Sequence, residues 1–198
     1  MAARFLSSAF AAGPALLILL AFIVRKLSKF EPGTEAIQTL AKIVTYAMSI
    51  NVFFFFLELF TAFYSNIPGD MASIKYLFVG LEGHTNLVPF MWTAGVLAFV
   101  GLALLLNPNT RKNESILPYA LIAVYVASWI DKGMGLVVGG FIPNPFERVI
   151  EYSPTVPELL ITLGVYGIGA LVLTVLYKVA ISVKEEVEAG GAGEASYH

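Results

Sequence analysis

Long apolar runs separated by short polar stretches set the layout of this chain. They fall at roughly residues 6–27, 36–65, 87–106, 116–138 and 156–183. Each reaches the roughly 20 residues a helix needs to cross a bilayer. None shows the strict two-residue alternation of a membrane β-strand. The pattern predicts an all-α integral membrane protein, with about five transmembrane helices forming a helix bundle over residues 1–185. Polar punctuation falls at Glu31–Pro32–Gly33, at Asn66–Ile67–Pro68–Gly69 and at NPNTRKNES, residues 107–115. Between Asp70 and Thr85 the chain is less apolar, and Ser73–Leu81 is expected as a short interfacial helix. From Gly133 to Pro157 glycines and prolines crowd together, predicting an irregular connection between spans four and five. Residues 186–198 are charged, then rich in Gly and Ala, and are expected to form a disordered cytoplasmic tail. A cleaved signal peptide is the rival for the first run. Against it, the run ends in RKLSK rather than at a small-residue cleavage site.

Composition strengthens the membrane reading. Hydrophobic residues make up 58% of the 198 and charged ones 13%, about half the share of a soluble domain. Mean hydropathy is +0.78. There are no cysteines, which excludes disulfides, thiolate-held iron–sulfur clusters and cysteine zinc sites within the chain. The two histidines, His84 and His198, do not form the pair on facing helices that a bis-histidine haem requires. A net charge of −2 offers no basic surface to nucleic acid.

Charge also orients the spans. Arg25, Lys26, Lys29, Lys42, Arg111, Lys112, Lys178 and Lys184 lie towards one side, and Arg4, Lys75, Lys132 and Arg148 towards the other. By the positive-inside rule the N-terminus is outside and the C-terminus cytoplasmic. Both long loops, 66–86 and 131–157, then lie on the outer side.

Glu58 is the sharpest chemical signal. It sits in FFFFLELF, inside a span, where a carboxylate costs several kcal/mol unless it is protonated or paired. Asn51, Glu58 and Ser65 are seven residues apart and share one helix face, with Thr61 near it. A polar stripe on a Phe-rich helix should face the protein interior. It would serve either as a proton carrier or polar partner for a bound headgroup, or as a neutral link between helices. Asp131 and Lys132 end the fourth span, and Glu158 opens the fifth; each is either an ordinary interfacial charge or part of a polar entrance. His84 lies in GLEGHTN before the third span, either as a plain loop residue or, since histidine side chains ordinarily titrate near 6.5, for surface proton exchange. Trp92, Trp129, Tyr64, Tyr76 and Tyr152 fit an outer aromatic belt, with Tyr64 and Trp92 also candidates to line a ring-binding pocket. No nucleotide-binding loop, nucleophile elbow or HExxH occurs. The residues alone fit a site for a proton-carrying, lipid-soluble ligand such as a quinone. They fit an ion path equally well.

Several ordered motifs carry a family resemblance. ELFTAFYSNIP, YLFVGLEGHTNLVPFMW, DKGMGLVVGGFIPNPFERVIEYSPTVPE and ELLITLGVYGIGALVLTVLYKVAI together resemble the C-terminal half of the NrfD/PsrC-type, polysulfide-reductase-like membrane subunits, nearest the DsrP/HmcC/QrcD-like branch. The resemblance covers roughly residues 38–185. It implies a respiratory subunit of the inner (cytoplasmic) membrane that exchanges electrons and protons between menaquinone or menaquinol and an extracytoplasmic iron–sulfur partner. Multihaem cytochrome c or molybdopterin subunits often accompany it. It implies transiently bound menaquinone, with no haem or iron–sulfur cluster in this chain, and proton movement through a bundle. Members of that branch are about twice as long, so the chain is expected to lack an N-terminal helix bundle, as a fragment or as half of a split subunit. The alternatives are a proton- or solute-conducting transporter module, suggested by the broken 133–145 segment, and a structural anchor.

Overall fold

A computed structural model of the chain describes residues 2–27, 33–142, 149 and 154–194. Apart from an isolated bridge between Leu81 and His84, the regular structure among the described residues is helical. The helices are α1 (Ala2–Leu27), α2 (Thr34–Tyr64), α3 (Pro68–Phe78), α4 (Val88–Leu106), α5 (Pro108–Lys112), α6 (Leu117–Ile130) and α7 (Val156–Glu194). α6 runs on through a π-helical segment, Asp131–Val138, and a 3-10 turn, Gly139–Phe141. Five segments are long and apolar enough to cross a membrane: α1, α2, α4, Leu117–Val138 and the Val156–Val183 part of α7. This is a multi-pass membrane protein whose apolar surface meets lipid. α2 shows this surface directly: Phe53, Phe56, Phe60 and Phe63 are all exposed, as lipid-facing residues should be.

Two compact units divide the chain, one ending at Glu151 and one beginning at Tyr152. In the first, α1 packs on α2 and α6, and α4 packs on α6. Lipid is as apolar as leucine, so such helices associate through close packing and not through hydrophobic expulsion. Small residues supply it. Ala11, Ala15, Ala41 and Ala120 are nearly or fully buried with Ile18, Ile37, Val44, Leu105, Leu117 and Leu121. At Gly101 a methyl group would meet Val124 Cγ2 at 2.9 Å and the Ala120 carbonyl oxygen at 3.2 Å. That glycine sets how closely α4 and α6 approach. The burial of Ala11, Ala15 and Ile18 makes the first apolar run part of this core.

Local sequence explains the boundaries. Prolines occupy the first turns of α3, α4, α5 and α6, where no backbone donor is lost. Asn107 caps α5 through its side chain, accepting from the Asn109 amide at 3.0 Å. At the same end, Arg25 pairs with Glu114 at 2.6 Å.

Three expectations shift. α1 starts at Ala2 and not near residue 6, because Ala2, Ala3 and Arg4 are all strong helix formers. The interfacial helix spans Pro68–Phe78 and not Ser73–Leu81, since Pro68 starts it at once. α7 continues to Glu194 where a disordered tail was expected from residue 186; KEEVEA, residues 184–189, favours helix, whereas the glycines at 190, 191 and 193 do not. Much of the Gly/Pro-rich connection, residues 143–148 and 150–153, and the last four residues lie outside the described residues.

Candidate functional site

At one end of the first unit, three helices each contribute a charge to one cluster. Arg4, in the first turns of α1, donates from Nη1 to Glu58 Oε2 of α2 at 2.5 Å and from Nη2 to Asp131 Oδ1 at the end of α6. Lys132 Nζ lies 2.9 Å from the other Asp131 oxygen. Two cations and two carboxylates leave the cluster formally neutral, which is how charge is tolerated at membrane depth. The four side chains are only 17–21% exposed. The Arg4 guanidinium also sits 4.8 Å from the centre of the Phe55 ring, a cation–π contact that covers one of its faces.

Asp131 is held where the helix changes pitch. Its amide still bonds to the Ala127 and Ser128 carbonyls, four and three residues back, and the π-helical segment begins at this residue. Such widenings concentrate at functional sites. Adjacent residues on an α-helix do not face each other, so Asp131 and Lys132 need not pair. They do, because the wider turn narrows the angle between them and the lysine stem is long. Glycine keeps the segment open: a methyl group at Gly135 would meet Met91 at 3.1 Å and Asp131 Oδ1 at 3.7 Å.

Behind Arg4 lies a cavity of about 50 Å³, walled by Phe55, Phe78, Phe99 and Met91 and bounded on its polar side by Arg4, Asn51, Ser128 and Asp131. Asn51 is 8% and Ser128 6% exposed. The buried atoms Arg4 Nε, Asn51 Oδ1 and Ser128 Oγ have no hydrogen-bond partner in the protein, and all three residues line this cavity. Deeper in the unit the core is largely apolar, with Val44, Val124, Leu105 and Leu121 fully buried, and the buried Thr45 hydroxyl is bonded to the Ala41 carbonyl at 2.7 Å.

The sequence-predicted residues separate into two groups. Asn51, Glu58, Asp131 and Lys132 come together. His84 stands apart in a tight turn with Gly80, Glu82 and Gly83 at positive φ, and its backbone exchanges hydrogen bonds with Leu81. Tyr64 is exposed and stacks on Phe60 with ring centres 5.1 Å apart. Trp92, also exposed, donates from its indole to the Phe78 carbonyl at 3.0 Å, as an interfacial tryptophan does. Glu158 belongs to the second unit, where its carboxylate accepts from the Thr155 amide at 2.7 Å and hydroxyl at 2.8 Å. That is a capping-box contact at the start of α7. Thr61 and Ser65, on the polar stripe of α2, are exposed. Arg4 and Ser128 were missed. Arg4 could have been found, since the charge count already placed it on the same side as Lys132, the neighbour of Asp131.

The size of the cavity bears on the quinone expected from the resemblance. Sites for such ligands usually measure about 300–1,000 Å³, several times this volume. Aromatic walls and polar donors suit a ring with carbonyls, but the space does not, so this cavity does not fit a quinone headgroup. No family model matches the chain, and comparison with curated proteins and solved structures gives no match either.

Proposed function

We propose that this chain is a proton-exchanging membrane subunit of an oxidoreductase complex, with Asp131, Arg4 and Glu58 as its proton-handling group. One observation carries the reading: three unpartnered, buried polar atoms share a cavity with a carboxylate that two cations hold. Most buried polar atoms are hydrogen-bonded, so three unpartnered ones beside an ion pair call for an explanation. A proton reaching Asp131 neutralises it and weakens its hold on Arg4, which then stays anchored by Glu58. Loss of that proton restores the bond. Arg4 thereby links the protonation of one carboxylate to the surroundings of the other.

The apolar core beyond Val124 favours exchange at one face over passage through the bundle. It counts against the transporter reading, despite the glycine-rich π-helical segment that suggested it. Support for the redox half comes from the ordered motifs that resemble the NrfD/PsrC-type subunits. On that reading the chain lies in the inner (cytoplasmic) membrane with its N-terminus outside. It works with menaquinone or menaquinol and an extracytoplasmic iron–sulfur, multihaem cytochrome or molybdopterin partner. The quinone has no seat in the Arg4 cavity, so its chemistry is assigned to no residue of the cluster.

The test is quinol oxidation and proton uptake by the purified complex carrying Glu58→Gln or Asp131→Asn. Loss of a proton-transfer group typically costs a factor of about 10² or more, and a loss of that order is expected. Unchanged turnover with unchanged proton uptake removes both carboxylates from the reaction.

A further inference from the structure

The space behind Arg4 has a definite ligand chemistry of its own. We infer that it holds a small cluster of water molecules bound by Arg4 Nε, Asn51 Oδ1 and Ser128 Oγ. A water needs about 10–15 Å³ of such space, so the 50 Å³ present seats about three to five.

The lining excludes other occupants. An apolar ligand would leave three buried polar atoms unpaired, at about 1–3 kcal/mol each. A cation would meet Arg4, and the carboxylate of Asp131 is already engaged by Arg4 and Lys132. An anion would face that same carboxylate. A hydroxyl can accept from Arg4 Nε–H, donate to Asn51 Oδ1 and do either with Ser128, and water is the hydroxyl species that suits so small a space.

Helix spacing builds this site. Asn51 and Phe55 are four apart on α2, and Ser128 and Asp131 three apart on α6, so each pair shares a face. Room comes from small residues on the same walls, Ala94, Gly95 and Ala98 of α4 and Ala127 of α6. Four residues before Ser128, Val124 is fully buried in the apolar core. The polar lining therefore ends within one turn, with Ser128 and Asn51 its last polar groups before the apolar core. Proton exchange is not a premise here. Bound water with inert carboxylates, or titrating carboxylates beside a dry cavity, would separate the two proposals.

The absence of cysteine makes the test clean. Single variants Ser128→Cys, Asn51→Cys and Val124→Cys, in vesicles, are exposed to silver ion, then unfolded and labelled with a fluorescent maleimide. Loss of later labelling at residues 128 and 51, with full labelling at 124, is the expected result. Full labelling at all three overturns the proposal. The unmodified protein gives a second reading. Met48 and Met91 line the cavity at 1% and 3% exposure, and hydroxyl radicals generated from water should oxidise both in the folded state. Complete protection of both methionines contradicts a wet cavity.

Discussion

Removing Arg4 should damage the first unit more than removing either carboxylate. In Arg4→Gln, Glu58 and Asp131 both lose the guanidinium that holds them, and the cluster passes from neutral to a net charge of −1. Breaking a fully buried pair from one side costs about 3–5 kcal/mol, whereas an exposed pair is worth about 0–1 kcal/mol. These side chains are about four-fifths buried, and Lys132 still faces Asp131. A loss of about 2–4 kcal/mol is therefore expected, scaled between those limits. Glu58→Gln alone should cost less, because Arg4 keeps Asp131 and the amide can still accept a hydrogen bond. The decisive comparison is the double variant, Arg4→Gln with Glu58→Gln, measured by reversible unfolding in mixed micelles. A coupling of at least about 1 kcal/mol is expected between directly bonded groups. Additivity within about 0.5 kcal/mol would refute the claim that these residues form one electrostatic unit.

Gly101→Ala should cost about 1–3 kcal/mol by overpacking, because stiff Val124 and the Ala120 backbone crowd the new methyl group; thermal unfolding of the purified protein checks it. Glu158→Ala removes the carboxylate of the Thr155 capping contact, at about 1 kcal/mol, and should fray the start of α7 in amide exchange without altering proton uptake. At the opposite end, the hydrogen bond from Arg25 holds the Glu114 carboxyl below its usual 4.5, against a small opposing effect of burial. A pKa lowered by folding stabilises at higher pH. This contribution is therefore complete above about pH 4.5 and fades as pH falls through the folded-state value. For so exposed a pair it amounts to at most about 1 kcal/mol. Glu114→Gln should flatten that part of the acid stability profile, and an unchanged profile counts against the pair.

Much of the fold could be read from the chain, because bilayer thickness fixes span length and the apolar runs are long. The number of spans and the polar stripe at Asn51 and Glu58 came from spacing alone. Helix starts were harder, since Arg4 is polar yet helix-forming and was assigned to the water side. The pairing of Asp131 with Lys132 was hidden because it depends on a π-turn, which hydropathy does not encode. Ser128 gave no signal at all. A serine on an apolar helix usually bonds to its own backbone, and only the packed neighbours reveal that this one does not. Glu158 looked like a site residue because sequence shows an acidic residue at a span mouth. The hydrogen bonds with Thr155 show what it does there.

On the proposed function, Asp131 and Glu58 exchange protons with the face of the membrane where Arg4 lies. Infrared difference spectroscopy on vesicles of uniform orientation tests it directly. A pH step applied at the Arg4 face should produce a carboxyl signal that Asp131→Asn and Glu58→Gln each diminish, while the same step at the opposite face should produce none of it. A signal unaltered by both substitutions, or evoked equally from either face, contradicts the account.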